Sequence, residues 1–206
     1  MKKLFAALAL LAALCLGPLF PATAHAAEPS APNSSHTTAR PSTVAPRGND
    51  TVPVGITLPE LSLFQCPVTK CNQGLAIRGQ SVDDFCYLPT TTPWGGIWHL
   101  LIDTSNDEIG FASSKFITAG PGGHLSSQPC ASVGQGVHMT LPALSLFQCP
   151  ATNCNQGLAY RGDSLALVST LWSDAHRDPW TGTGEWDILL DHSNNEVGMA
   201  APSFIY

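Results

Sequence analysis

Six cysteines lie beyond residue 60 of this 206-residue chain, and their spacing makes them the first candidates for chemistry. Cys66-x4-Cys71 recurs as Cys149-x4-Cys154, whereas Cys86 and Cys130 stand outside the repeated pattern. Thiolates serve as nucleophiles, as zinc ligands or, in exported chains, as disulfide partners. We predict one disulfide within each repeated pattern and a third between Cys86 and Cys130. Zinc held by the two C-x4-C pairs is the alternative.

Four polar residues recur in the same order and could hold a cation. Oxygen ligands at alternating positions suit calcium, but Asp, Ser and Asn also favour tight turns, because their side chains bond to the local backbone. We interpret both segments as hairpin turns, keep calcium as the alternative, and predict no metal and no cofactor. The residues are Asp103, Ser105, Asn106 and Glu108 in one segment and Asp191, Ser193, Asn194 and Glu196 in the other.

Motifs for catalysis are absent from the sequence. There is no G-x-S-x-G turn, no H-E-x-x-H pair and no C-G-x-C-W stretch. His99 aligns with Asp187 in the repeat described below, so an imidazole at that position would act in one copy only. We therefore predict that the chain is not an enzyme and has no catalytic residues. Catalysis would require a site formed between the two copies.

Aromatic residues are better candidates for function. Phe64 and Phe147 lie two residues before the cysteine patterns, and Pro93-Trp94 recurs as Pro179-Trp180 in a loop of different length. A loop tryptophan that neither packs nor binds leaves apolar surface in water. We predict that Phe64, Trp94, Phe147 and Trp180 contact a ligand, with a lid over a small core as the alternative. Trp98 and Trp186 begin apolar segments and are predicted core residues.

The chain contains two copies of one unit. Ile56–Gly79 and Met139–Gly162 are identical at 19 of 24 positions, and Trp98–Ile117 and Trp186–Ile205 at 10 of 20. The copies span about 56–117 and 139–206, and the connector 118–138 contains the loop-forming Gly120-Pro121-Gly122-Gly123. A repeat of this quality indicates duplication of one folding unit.

The first residues predict export. Lys2 and Lys3 precede an apolar run that ends at Leu19, and Ala24-His25-Ala26 has the small-x-small pattern of a cleavage site. We predict a signal peptide over 1–26 and secretion, with the mature chain either free in the medium or associated with the cell wall. Cys15 raises lipid attachment as an alternative, although the preceding Leu14 is too large for that processing. Residues 27–55 are rich in Pro, Ser and Thr and predict a disordered leader.

Short apolar segments separated by turn residues predict an all-β fold. Trp98–Ile102, a polar stretch and Glu108–Ala112 read as strand, turn and strand, and copy two repeats this order. No long segment has the 3.6-residue period of a helix. About five strands in roughly 62 residues point to a small barrel.

Each copy resembles a bacterial SH3-type domain of the kind found in exported wall-associated proteins. The family's opening Leu-Asn-Val-Arg-x-Gly-Pro corresponds to Leu61–Pro67 and Leu144–Pro150, and its closing Gly-Trp-Val-x-x-x-Tyr-Leu to Gly110–Ile117 and Gly198–Ile205. Phe replaces the family's Arg in both openings, and Phe111 or Met199 replaces its closing Trp. The resemblance implies two tandem SH3-like β-barrels, with ligands in grooves lined by loop aromatics.

Charge narrows the partners. Without Lys2 and Lys3 the chain has seven basic and fifteen acidic residues, a net charge of −8. Such a surface repels phosphate backbones and anionic lipid, so we predict neither nucleic acid nor membrane as partner. We expect a secreted binding module for cell-wall peptide, glycan or another extracellular polymer. The alternative is a module that binds an extracellular protein, as an inhibitor or effector does.

Overall fold

The computed structural model describes residues 51–90, 96–173 and 176–206. These residues form thirteen strands and three short 3-10 turns, with no α-helix among them. The predicted all-β class is therefore confirmed. Copy one contains β1 (Val52–Ile56), β2 (Glu60–Phe64), β3 (Gln73–Ile77), β4 (Val82–Thr90), β5 (Gly96–Asp103), β6 (Glu108–Ser113) and β7 (Ile117–Ala119). Copy two contains β8 (Gln135–Val137), β9 (Ala143–Phe147), β10 (Gln156–Tyr160), β11 (Leu165–Trp172), β12 (Glu185–Asp191) and β13 (Glu196–Ala200).

The strands form two antiparallel sheets with the same order of equivalent elements. One sheet runs β3-β2-β6-β5-β4-β1-β7, and the other runs β10-β9-β13-β12-β11-β8. β1 pairs with β4 as β8 pairs with β11. Residues 52–55, which the sequence analysis assigned to the disordered leader, therefore belong to a strand. Likewise the connector supplies β8, the first strand of copy two, at 135–137.

Each sheet buries an apolar cluster of its own on one face. Alternation of side chains along a strand puts every second residue on that face, as with Leu61 and Leu63 in β2. The equivalent residues Leu144 and Leu146 occupy the same place in copy two. Gly110 lets β6 cross β2 closely, because a Cβ atom there would lie 2.6 Å from the Leu63 carbonyl carbon.

A third apolar cluster joins the two copies. The central strands β5 and β12 each turn one face to the cluster of their own copy and the other face to this shared cluster, so both strands are buried on both faces. Trp98 and Trp186 are fully buried in this shared cluster, which confirms them as core residues. Its other large members are Phe64, Phe85, Leu100, Ile102, Ile109 and Phe111 from copy one and Phe147, Val168, Ile188, Leu190, Val197 and Met199 from copy two.

Three disulfides join the six cysteines in the predicted pairs: Cys66–Cys71, Cys149–Cys154 and Cys86–Cys130. All six thiols are thereby used, which leaves none as a zinc ligand. The pairing is compatible with an extracellular location.

The third disulfide ties the connector to copy one. Beside it, Tyr87 N donates to Gln128 O at 2.9 Å, and Ser126 N donates to Asp84 Oδ2 at 2.8 Å. His99 Nδ1 lies 2.8 Å from the same Asp84 oxygen, and both side chains are buried. The imidazole thus holds a structural place in copy one. In copy two the equivalent Asp187 accepts a hydrogen bond from Thr170 Oγ1 at 2.9 Å instead.

Candidate binding grooves

An open apolar groove of about 160 Å³ lies along β9 in copy two. Its floor is formed by side chains of β9, and one wall by the 3-10 turn Pro202–Phe204. Trp180, from the loop between β11 and β12, packs against this turn and completes the lining. The lining residues are Leu141, Ala143, Leu144, Ser145, Phe147, Trp180, Ala201 and Phe204.

The loop holds Trp180 in place over the groove. The buried Asp178 accepts hydrogen bonds from Trp180 N at 2.9 Å and from Thr181 N at 3.2 Å. Asp178 N donates to Thr183 O at 2.7 Å and so closes the turn. The indole packs edge-on against Phe204, with ring centroids 5.1 Å apart and planes at 75°. Although it packs in this way, 52% of Trp180 remains exposed and available for contact.

An equivalent groove of about 210 Å³ lies along β2 in copy one. Every one of its lining residues aligns with a lining residue of the other groove in the repeat. Two positions differ in chemistry, because Glu60 and Ser113 stand where copy two has Ala143 and Ala201. The lining residues are Leu58, Glu60, Leu61, Ser62, Phe64, Ser113 and Phe116. Trp94, predicted as a ligand contact, lies outside the described residues.

Phe64 and Phe147 line the grooves, but they do so as floors. Only 7% of Phe64 and 6% of Phe147 is exposed. Each packs edge-on against the buried tryptophan of its own copy, at 5.8 Å from Trp98 and 6.2 Å from Trp186. They therefore belong to the shared cluster and offer a ligand only one edge.

Sequence reasoning missed other residues that line both grooves. Leu58 and Leu141 follow the strand that opens each copy, and Phe116 and Phe204 end the 3-10 turns. Both pairs are identical between the copies, and a repeated apolar residue is normally assigned to the core. The available signal was their position in turns, because strand pairing does not direct a side chain in a turn towards the core.

Arg78 and Arg161 hold backbone segments beside the grooves by hydrogen bonds. Arg78 Nη2 donates to Thr57 O, and Arg78 Nε donates to Leu58 O at 3.2 Å. Arg161 Nη2 donates to Thr140 O at 2.6 Å. These hydrogen bonds fix the short segments that carry Leu58 and Leu141. The two arginines therefore position groove residues and do not line the grooves.

The recurring Asp, Ser, Asn and Glu residues serve the backbone of the hairpin turns. Asp103 Oδ1 accepts from Ser105 N at 2.9 Å, and Glu108 N donates to Asn106 Oδ1 at 3.1 Å. The same bonds occur in copy two at 2.8 and 2.9 Å. In the parts of the chain that the structure describes, no cluster of three or more His, Cys, Asp or Glu side chains is placed to bind a metal. The turn interpretation thus accounts for these residues.

The glutamates of the turns also cover the outer edges of the sheets. Glu108 Oε2 accepts from Leu75 N at 2.5 Å, and Asn106 Nδ2 donates to Leu75 O at 3.3 Å. Edge strand β3 thus has backbone groups occupied by its own chain, which hinders another strand from adding there.

Burial raises the pKa of three carboxyl groups at these turns. The pKa of Asp103 and that of Asp191 are raised mainly by burial, and the N–H groups of Ser105 and Ser193 partly oppose the shift. The neighbouring Asp163 raises the pKa of Asp191 further. Burial and then Asp191 raise the pKa of Glu196. The Oδ2 atom of Asp103 is buried without a hydrogen-bond partner, so the charged form of that carboxyl is costly.

No family model, no curated protein and no solved structure matches this chain. No helix within the described ranges is long and apolar enough to span a bilayer. The grooves must therefore be interpreted from their own chemistry.

Proposed function

We propose that this chain is a secreted, non-catalytic binding protein whose two SH3-like modules recognise cell-wall peptide or another extracellular polymer. The observation that carries the proposal is the pair of grooves, formed by equivalent residues in both copies. Duplicated core residues are explained by folding alone. A duplicated opening lined by apolar side chains needs a further reason, which ligand binding supplies.

The size of the grooves favours an extended ligand. Sites for whole small molecules usually enclose roughly 300–1,000 Å³. The grooves here, at about 160 and 210 Å³, are smaller and open to solvent. They suit single side chains or sugar faces of a longer chain. Two such weak contacts become a useful affinity when they are linked, because the second contact forms within the complex.

Charge and disulfides restrict where that polymer would be found. Three disulfides suit an oxidising space outside the cell. The acidic excess disfavours polyanions such as nucleic acids, and it leaves peptides, neutral glycans and cationic polymers as ligands. The resemblance to SH3-type domains of wall-associated proteins, carried by the opening and closing motifs of each copy, agrees with such a ligand.

Retention on purified, insoluble cell-wall material tests this function. Trp180→Ala removes the exposed wall of one groove, and we expect retention to fall by about 3- to 10-fold, since an exposed aromatic contact contributes on the order of 1 kcal/mol. Trp172→Ala is the matched control, because Trp172 is 63% exposed yet lines neither groove. Equal retention of both variants would remove Trp180 from the site, and absence of retention of the native protein would end the proposal.

A second candidate is recognition of an extracellular protein through the two cysteine loops. Each loop is closed by its disulfide and by a short internal bond, from Val68 N to Cys66 O at 2.7 Å and from Ala151 N to Cys149 O at 2.7 Å. Val68 is exposed at the tip, and a rigid loop loses little entropy on binding. Val68→Ser would then abolish capture of a soluble partner and leave retention on walls unchanged.

A further inference from the structure

The two copies contact each other reciprocally where β2 and β9 end. Gln65 Nε2 donates to Leu146 O at 2.7 Å, and Gln148 Nε2 donates to Leu63 O. Residue 65 thus lies beside residue 146, and residue 63 lies beside residue 148. The segments Leu63–Gln65 and Leu146–Gln148 therefore run in opposite directions.

Two further pairs of hydrogen bonds between the copies are reciprocal in the same way. Ile109 N donates to Gln148 O at 2.9 Å, and the equivalent Val197 N donates to Gln65 O at 2.8 Å. Asn72 Nδ2 donates to Gln156 O at 2.8 Å, and Asn155 Nδ2 donates to Gln73 O at 2.9 Å. Contacts in which each partner uses the same atoms are those of a two-fold axis. The duplicated chain is thus folded like a symmetric dimer.

This symmetry decides how the grooves are oriented. One groove follows β2 from Leu58 to Phe64, and the other follows β9 from Leu141 to Phe147. Since the two strands approach the axis from opposite directions, the grooves lead away from it in opposite directions. A ligand chain with a direction, such as a peptide or a glycan, would have to reverse its course to occupy both grooves in the same way.

The shared cluster prevents the copies from turning to accommodate one straight ligand. It contains the largest fully buried side chains of both copies, Trp98 and Trp186. The buried Gln65 and Gln148 add reciprocal hydrogen bonds between the copies. Reorienting one copy would expose this cluster to water. The opposite directions of the two grooves are therefore a fixed property of the molecule.

We propose that the protein cross-links cell-wall peptidoglycan, with each groove holding a separate strand and the two strands running in opposite directions. This inference rests on the proposed function, because it takes both grooves as binding sites. It adds a role that binding alone does not supply. A protein that binds one strand through both grooves is only retained on that strand, whereas this protein would join two strands.

A bead-bridging assay tests the inference. Two bead populations, only one of them fluorescent, are coated with soluble fragments of purified cell-wall peptidoglycan, and protein is added at increasing concentration. We expect mixed bead pairs that rise in number and then fall when excess protein fills every strand separately. Bound protein per bead is measured in parallel. Binding without mixed pairs would overturn the cross-linking inference alone, whereas absence of binding would overturn the proposed function.

Variants that fill one groove complete the test. Ser62→Trp and the matched Ser145→Trp each place a bulky side chain in one groove. At protein concentrations that saturate a single groove, either variant should still coat the beads but lose bridging, because one site remains. Leu58→Asn and Leu141→Asn provide milder changes should the tryptophan variants fail to fold, as judged by thermal unfolding. Bridging that survives in both single-groove variants would contradict the proposal.

A second-strand experiment separates cross-linking from double gripping of one strand. Sparsely immobilised fragments are saturated with protein, unbound protein is washed away, and a labelled fragment is then offered in solution. We expect about one labelled strand captured per bound protein, because one groove stays open. No capture, with both grooves needed for tight binding to the first strand, would show that a single strand fills both and would refute the inference.

Discussion

Replacing Gln65 with alanine should destabilise both copies together. Gln65 is 1% exposed, donates to Leu146 O of the other copy, and accepts from Asn72 Nδ2 at 2.9 Å. The two lost hydrogen bonds contribute about 1 kcal/mol each, and the cavity left by the buried side chain adds about 1 kcal/mol more. We expect a loss of about 3 kcal/mol in the free energy of unfolding.

That loss converts to a thermal shift. For a domain of about 150 residues each kcal/mol moves the Tm by roughly 2–4 °C, so Gln65→Ala should lower it by about 6–12 °C. Gln73→Ala is the control, because its exposed side chain leaves stability within about 0.5 kcal/mol.

The shape of the unfolding curve carries the stronger test. Calorimetry and urea titration should show one cooperative transition in the native protein and in Gln65→Ala, since the shared cluster makes the copies one unit. Two transitions, of which Gln65→Ala moves only one, would refute the shared core and with it the fixed orientation of the grooves.

Three further predictions concern the turns, a disulfide and the loop. Burial raises the pKa of Asp191, so the native protein loses stability as this carboxyl ionises above its ordinary pKa of 3.8. Asp191→Asn cannot ionise, so the Tm difference between this variant and the native protein should be more positive at pH 7 than at pH 4. An equal difference at both pH values would refute this. Cys86→Ala with Cys130→Ala opens a 44-residue separation and should cost about 4 kcal/mol in urea unfolding, with a far smaller loss counting against an ordered connector. Asp178→Ala should weaken retention on walls by about 2- to 10-fold through the cost of ordering Trp180, and full retention would show that the loop needs no such support.

Repetition and cysteine chemistry predicted a large part of the structure. The C-x4-C patterns identified two disulfides, and the remaining two thiols gave the third. The hairpin of β5 and β6 could be predicted because apolar runs flank Asp103–Asp107, whose side chains favour turns. These features are local, so the residues that determine them lie close together in the sequence.

The shared cluster was harder to predict because it depends on contacts between distant segments. Trp98 to Ile102 is apolar at four of five positions, which is typical of a strand buried on both faces. The sequence shows that a second face is covered, but it does not show by what. Gln65 illustrates the same limit, because a glutamine before a cysteine reads equally well as a surface residue.

Composition misled the assignment of the first strand. Val52, Val54 and Ile56 alternate with Pro53 and Gly55; all three are buried, and Val54 and Ile56 belong to the core cluster of copy one. They follow a segment rich in Pro, Ser and Thr, and averaging over that segment hid a pattern of only three apolar residues. The groove walls were missed for a related reason, since Phe116 and Phe204 lie in turns where no periodicity applies.

The most direct test of binding through two equivalent grooves is an NMR titration of the isotope-labelled protein with soluble cell-wall fragments. We expect the amide signals of groove residues to shift in both copies, among them Ser62 and Phe116 in one and Ser145 and Phe204 in the other. Shifts confined to the cysteine loops, or to one copy alone, would contradict the claim that this protein binds its ligand through two equivalent grooves.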